Sequence, residues 1–224
     1  MLNIEKINTI IFDLDGTIID TEPIYNVCWR KACKFFGYDL PYEEALNLRS
    51  LDSDLAKNYL TNLLGEDFSY EMIRKKRKEF MDVMIGNDIK LKPNIANLLT
   101  ILKNLKYNVA ICSASSRETI IKYLKCAKIN FDFDAIISAK SVQRGKPYPD
   151  AYIYACKVLD VKPENVLVVE DAPNGIISAH NSGCNVAMIP DLTLPTPEIM
   201  EKLDIYFKDL YDFELFLKQN LMNK

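Results

Sequence analysis

Five short apolar runs recur along the chain, each ending on polar residues: NTIIFD (8–13), NVAICSAS (108–115), DAIISA (134–139), NVLVVED (165–171) and NVAMIPD (185–191). They are rich in Ile and Val and do not alternate with polar positions. That is the pattern of strands covered on both faces, as in a parallel sheet. Helical spacing separates the last four runs. Residues 116–127 place Ile120, Ile121 and Leu124 on one stripe, with Ser116 as N-cap. Residues 149–159 carry Pro149 near the first turn, and residues 173–183 end at Gly183, a natural C-cap. This alternation predicts an α/β fold with a doubly wound, parallel, Rossmann-like sheet.

The alternation breaks once. Residues 21–90 contain no strand-like run and read as helices near 22–36, 42–48, 52–64 and 69–86, with breaks at GYDLP (37–41) and GEDFS (65–69). The expected organisation is a core of residues 1–20 and 91–224 with a helical cap domain, 21–90, inserted after the first strand. An insert at that point sits over the carboxyl edge of the sheet, where open α/β sheets bind ligands. The proline-rich LTLPTP (192–197) precedes a further helix near 209–221.

Composition narrows the partners. A net charge of −3 over 224 residues lacks the basic face that nucleic-acid binding needs. The six cysteines include no C-x-x-C pair, and the single histidine, His180, has no sequence neighbours to complete a zinc site. Free buried thiols in a reducing compartment are expected. INTIIF is too short for a signal h-region or a membrane span. The expectation is a cytoplasmic monomer with no nucleic-acid or membrane partner.

In a parallel sheet the strand ends converge on one edge. Here that edge would collect Asp13 and Asp15 from the first run, Ser113 from the second, Glu170 and Asp171 from the fourth, and Lys146 from the loop GKPYPD. Each residue has a simpler reading: Asp13 and Asp15 as turn acids, Ser113 as a cap, Glu170 and Asp171 as acids favoured at a helix start. Together, however, such carboxylates repel and protonate unless a cation lies among them. Oxygen donors suit Mg²⁺. A serine and a lysine beside it suit a phosphoryl group.

The motifs DLDGT (13–17), CSAS (112–115), GKPYPD (145–150) and VEDAPNG (169–175), in this order, resemble those of the haloacid dehalogenase superfamily. The helical insert resembles the cap of the subfamily that contains β-phosphoglucomutase and small sugar-phosphate phosphatases. The resemblance implies Asp13 as nucleophile on phosphorus and Asp15 as acid, then base. It implies Asp13, the carbonyl of Asp15, Glu170 and Asp171 around Mg²⁺. Ser113, the amide of Ala114 and Lys146 would hold the phosphoryl oxygens. A Mg²⁺-dependent phosphatase of a small phosphorylated metabolite, a sugar or polyol phosphate, is the reading that follows.

Two alternatives stand beside it. A hexose-phosphate mutase of the β-phosphoglucomutase type would carry a hinge histidine where this chain has Tyr25, and a Gly-x-Ser-Arg cap motif where it has LNLRSLDS (46–53). A non-catalytic phosphate-binding protein would not need Asp15. Specificity is expected from the insert. Arg49 sits in a helix-to-helix turn that can face the active edge. Trp29 suits either a sugar face or the core. Arg77 shares a stripe with Ile73, Phe80 and Met84; within RKKRK it either snorkels to solvent or reaches a second substrate charge. Asp20 reads as a residue of the passage into the insert, and His180 as structural.

Overall fold

In the computed structural model, which describes residues 2, 4–86 and 88–222, the five apolar runs become strands β1 (Thr9–Phe12), β2 (Asn108–Ser113), β3 (Ala135–Ser138), β4 (Val166–Glu170) and β5 (Asn185–Met188). A sixth strand, β6 (Ile205–Tyr206), extends the sheet beyond the five expected. The order is β3-β2-β1-β4-β5-β6 and every pairing is parallel. Positions 1, 3, 87, 223 and 224 of the expected core and insert lie outside the described residues.

Between β1 and β2 run α1 (Glu22–Phe35), α2 (Tyr42–Leu46), α3 (Ser53–Leu64), α4 (Tyr70–Ile85) and α5 (Ile95–Asn104). Then come α6 (Arg117–Cys126), α7 (Asp150–Leu159), α8 (Pro173–Asn181), α9 (Pro197–Met200) and α10 (Leu210–Leu217). The sheet is covered on both faces, as its unbroken apolar runs require. Ile10 and Phe12 point to the layer of α5, α6 and α10, while Ile11 points to α7 and α8. All three β1 side chains are fully buried.

Helices α1–α4 build a separate apolar cluster around Trp29, Leu48, Leu60 and Ile73. The turn between α2 and α3 comes down on the sheet edge. The amide of Asp52 donates to the carbonyl of Lys146 at 2.7 Å, and the amide of Gly145 donates to Asp52 Oδ2 at 3.0 Å. Asn174 at the start of α8 donates to the carbonyl of Arg49 at 2.8 Å.

Local signals hold with small shifts. Ser116 accepts from the amide of Thr119 and caps α6. Pro149 precedes α7. Helix α8 stops at Asn181, and Gly183 follows just beyond with φ +82°, where the left-handed backbone favours glycine. On α4 the buried stripe turns out to be Tyr70, Ile73, Met81 and Ile85, and Met84 is exposed. The cysteines are free; Cys126 alone is half-buried and the other five are buried. Among the described residues no helix is long and apolar enough to cross a membrane.

Candidate active site

The carboxyl edge of the sheet forms around its central strand. The amide of Asp13 donates to the carbonyl of Val169 at 3.0 Å, which extends the β1–β4 pairing by one step. Asp13 therefore stands beside Glu170 and Asp171. Lys146 reaches in from its loop and is fully buried. Its Nζ donates to Asp13 Oδ1 and to Glu170 Oε1, both at 2.6 Å, and to the carbonyl of Cys112 at 3.0 Å. The hydroxyl of Tyr152, on α7, donates to Glu170 Oε1 at 2.5 Å. These contacts satisfy all three ammonium hydrogens but only one oxygen of each carboxylate.

The other oxygens are the telling ones. Asp13 Oδ2, Glu170 Oε2 and Asp171 Oδ1 are buried and have no hydrogen-bond partner. Asp13, Glu170 and Asp171 each offer a ligand oxygen, all within 4.8 Å of one another. Buried anionic oxygens without partners are costly, and a hard divalent cation answers that cost. The residues present thus fit Mg²⁺. The protonation balance agrees. Burial, with Glu170 and Asp15 adding and Lys146 opposing, pushes the Asp13 carboxyl up from its ordinary 3.8 to about 8. Asp171 is also raised, first by burial, against the pull of Arg49. Burial works to lower the Lys146 ammonium, but Asp13 and Glu170 outweigh it and the pKa rises.

Close packing against Glu170 and Asp171 admits no side chain at two glycines. A Cβ on Gly16, whose φ is +84°, would lie 2.5 Å from Asp171 Oδ2. A Cβ on Gly175 would lie 2.0 Å from the Glu170 carboxyl carbon. Helix propensity alone favours Ala over Gly inside α8 by about 1 kcal/mol. The clash reverses the sign. Gly175→Ala is expected to lose roughly 1–3 kcal/mol, read as a lowered melting temperature; an unchanged or raised one would show that Glu170 has room to move.

The remaining expected residues share one cavity of about 760 Å³ between the insert and the edge. It is lined by Asp13, Asp15, Ser113 and Ala114 on the sheet side and by Trp29, Arg49 and Arg77 on the insert side. Asp15 accepts from the hydroxyl of Thr21 at 2.5 Å. Burial raises its pKa, against Thr21, Lys146 and Arg77. Ser113 does not cap the following helix; its Oγ accepts from the amide of Ser115 at 3.1 Å. Arg49 does come down to the edge, where NH1 lies 3.3 Å from Asp171 Oδ2 and NH2 donates to Thr193 Oγ1. Trp29 is buried in the insert's own cluster and still forms part of the cavity wall. Asp20 lies 3.5 Å from the Lys92 ammonium at the crossing into the insert. His180 is exposed on α8 and takes no part.

Two residues here, Glu22 and Tyr152, carry no local sequence signal for a site. Glu22 reads as an ordinary first-turn acid of α1, yet it is buried in the cavity wall. Burial first, then Asp171 and Asp15, hold its carboxyl well above the usual range. Tyr152 reads as a core residue of α7 and instead orients Glu170. Tyr25 lines the cavity, its hydroxyl 3.4 Å from that of Tyr123.

Comparison with known proteins bears on this geometry. The family model described as haloacid dehalogenase-like hydrolase matches residues 10–189. The β-phosphoglucomutase of Bacillus subtilis is 33% identical over 186 residues, covering 78% of this chain and 79% of that protein. The phosphorylated carbohydrates phosphatase of Thermotoga maritima is 27% identical, covering 78% of this chain and 81% of that one. The crystal structure of β-phosphoglucomutase from Clostridium difficile superposes with a TM-score of 0.81 at 22% identity, over 97% of this chain and 98% of that one. With the family model spanning Asp13, Ser113, Lys146, Glu170 and Asp171, this chain belongs to the haloacid dehalogenase-like hydrolase family.

Proposed function

We propose that the chain is a Mg²⁺-dependent phosphatase of a small phosphorylated metabolite, a sugar or polyol phosphate, working through an aspartyl-phosphate on Asp13. One observation carries the reading. A fully buried lysine holds one oxygen of Asp13 while the other oxygen is left without a partner beside a second acid, Asp15. A binding protein has no use for that pair. The relatives named above as a phosphatase and a phosphomutase support it.

In this reading Asp13 attacks phosphorus, the ester P–O bond breaks, and Asp15 gives its proton to the leaving oxygen. Burial raises the pKa of Asp15, which favours the protonated form that an acid needs. In the second half Asp15 takes a proton from water, the water oxygen attacks phosphorus, and the bond to Asp13 breaks to release inorganic phosphate. Lys146, the Ser113 hydroxyl and the Ala114 amide hold the phosphoryl oxygens. Held by Asp13, the Asp15 carbonyl, Glu170 and Asp171, Mg²⁺ would neutralise the charge that opposes an anionic carboxylate approaching an anionic phosphate. Helices α1–α4 act as the cap that closes the cavity and excludes water.

Incubation with Mg²⁺ and p-nitrophenyl phosphate, then with β-glucose 1-phosphate and its bisphosphate primer, tests the assignment. Free phosphate that disappears on chelation is expected. Glucose 6-phosphate formed without phosphate release would turn the reading to a mutase.

Protonation supplies a second check. The folded, metal-free chain keeps a proton on Asp13 that the unfolded chain gives up, so its stability should fall as pH rises from the ordinary 3.8 toward about 8. Mg²⁺ should reverse this by expelling the proton. Calorimetric titration at pH 7 in two buffers of different ionisation enthalpy should show proton release, with apparent affinity rising as pH rises toward about 8. Affinity independent of pH would remove Asp13 from the cation site.

A further inference from the structure

The cavity carries two zones of opposite charge. The sheet side holds the acids Asp13 and Asp15, with Glu22 beside them, while Arg74 and Arg77 on α4 and Lys140, just after β3, also line the cavity; Glu71, Asp82 and Glu118 belong to the same lining. The phosphatase mechanism uses none of these three cations. Arg77 stacks its guanidinium on two rings, 4.6 Å from the centre of Trp29 and 5.0 Å from that of Tyr25. Its Nε is buried without a hydrogen-bond partner. Among the described residues neither Arg77 nor Lys140 forms an ion pair, and Arg74 has only a stretched one, 4.0 Å from Glu71. Lys140 donates to the hydroxyl of Ser53, at the start of α3.

Cations gathered on a cavity wall with little direct ion pairing repel one another and lose hydration. The effect is visible at Lys140, whose pKa is lowered first by burial and also by Arg74 and Arg77, against a partial offset from Asp52 and Asp54. Aromatic faces under Arg77 hold its guanidinium in place. Preorganised, unneutralised donors of this kind suit an anion.

We infer that the wall formed by Arg74, Arg77 and Lys140 is a second anion subsite, and that the preferred substrate is a small phosphate ester with a second anionic group, carboxylate or phosphate, at the end remote from the scissile bond. The inference rests on the phosphatase reading for its catalytic form. It differs from simple attraction of phosphate by a basic mouth, because it requires both ends of one molecule to be held at once.

Matched pairs test it. Glycerol 3-phosphate and 3-phosphoglycerate differ by a remote carboxylate; fructose 6-phosphate and fructose 1,6-bisphosphate differ by a remote phosphate. At least one pair should favour the doubly anionic member by about tenfold or more in kcat/KM, equivalent to about 1.4 kcal/mol. Which pair shows it tells carboxylate from phosphate. The preference should shrink to about threefold or less in Lys140→Gln, and likewise in Arg77→Gln, where stability is checked by thermal melting because the guanidinium packs on Trp29.

A binding arm does not depend on turnover. Trp29 is the only tryptophan, so its fluorescence reports occupancy of the cavity in Asp13→Asn with Mg²⁺. The same pairs should show the same preference in Kd. Equal affinities, or a preference that survives Lys140→Gln, overturn the subsite even if phosphate release is observed. A preference in Kd without any turnover upholds it while the phosphatase reading falls.

Discussion

Asp13→Asn is expected to remove phosphate release by roughly four orders of magnitude or more, about 5 kcal/mol of barrier, and to leave the chain folded. The amide has nearly the shape of the carboxylate but no anionic oxygen to form the bond to phosphorus. Asn is also neutral, like the protonated Asp13 of the metal-free chain below about pH 8, so the change adds no buried charge. Lys146 keeps Glu170 as a partner at 2.6 Å and the Cys112 carbonyl at 3.0 Å. The metal-free melting temperature should therefore change little, or rise at high pH where wild-type Asp13 is forced to ionise. Release of phosphate at more than about 1% of the wild-type rate, a loss of less than about 3 kcal/mol, would take the nucleophile's role from Asp13.

Lys146→Met should be the most damaging single change to stability. The lysine is fully buried between two carboxylates. Methionine fills the stem's volume but leaves Asp13 and Glu170 facing each other with no cation between them. Breaking a buried pair from one side costs about 3–5 kcal/mol. In a chain of this length that corresponds to roughly 6–20 °C in melting temperature. In the mechanism proposed above, activity should fall with it, since the phosphoryl group loses a cation that holds its oxygens. The companion Lys146→Met with Glu170→Gln separates the causes: if repulsion is the injury, neutralising Glu170 restores part of the stability but none of the activity. A melting temperature within about 3 °C of wild type for Lys146→Met, about 1 kcal/mol, would mean that the ammonium does not hold these acids together.

The core sheet and the motif residues were readable because their signals are local. Ile10, Ile11 and Phe12 announce a strand covered on both faces, and such a strand delivers Asp13 to a sheet edge whatever the neighbours are. Strand β6 escapes this logic. It has two residues at the margin of the sheet, Ile205 half-buried and Tyr206 exposed, so it never needed an apolar run. Helix α5 is a different omission. Ile95, Leu98, Leu99 and Leu102 have full helical spacing, but they follow Asn94, whose left-handed backbone and lack of a side-chain cap hide the start.

Within the candidate site, illegibility has one source. Tyr152 and Glu22 acquire their surroundings only from residues distant in sequence, so each looks ordinary in its own helix. Arg77 is the instructive case. The run RKKRK reads as a solvated face, and its other members largely are, but the guanidinium turns onto Trp29 and Tyr25, both on α1. No property of RKKRK specifies which of its cations will find rings.

The position of β1 has a consequence for how the chain assembles. It is the first strand to be made and the central strand of the finished sheet, with Thr9 paired to Asn108 on one side and Val166 on the other. While the chain is being synthesised, both edges of β1 stay open until the whole of α1–α5 has emerged, and one stays open until β4 follows. An unpaired and largely apolar strand is an invitation to intermolecular pairing. The two acids at its end have the placement of charged gatekeepers. Solvated acids at the end of such a strand oppose pairing with other chains, before burial beside Lys146 and Glu170 gives Asp13 its later surroundings.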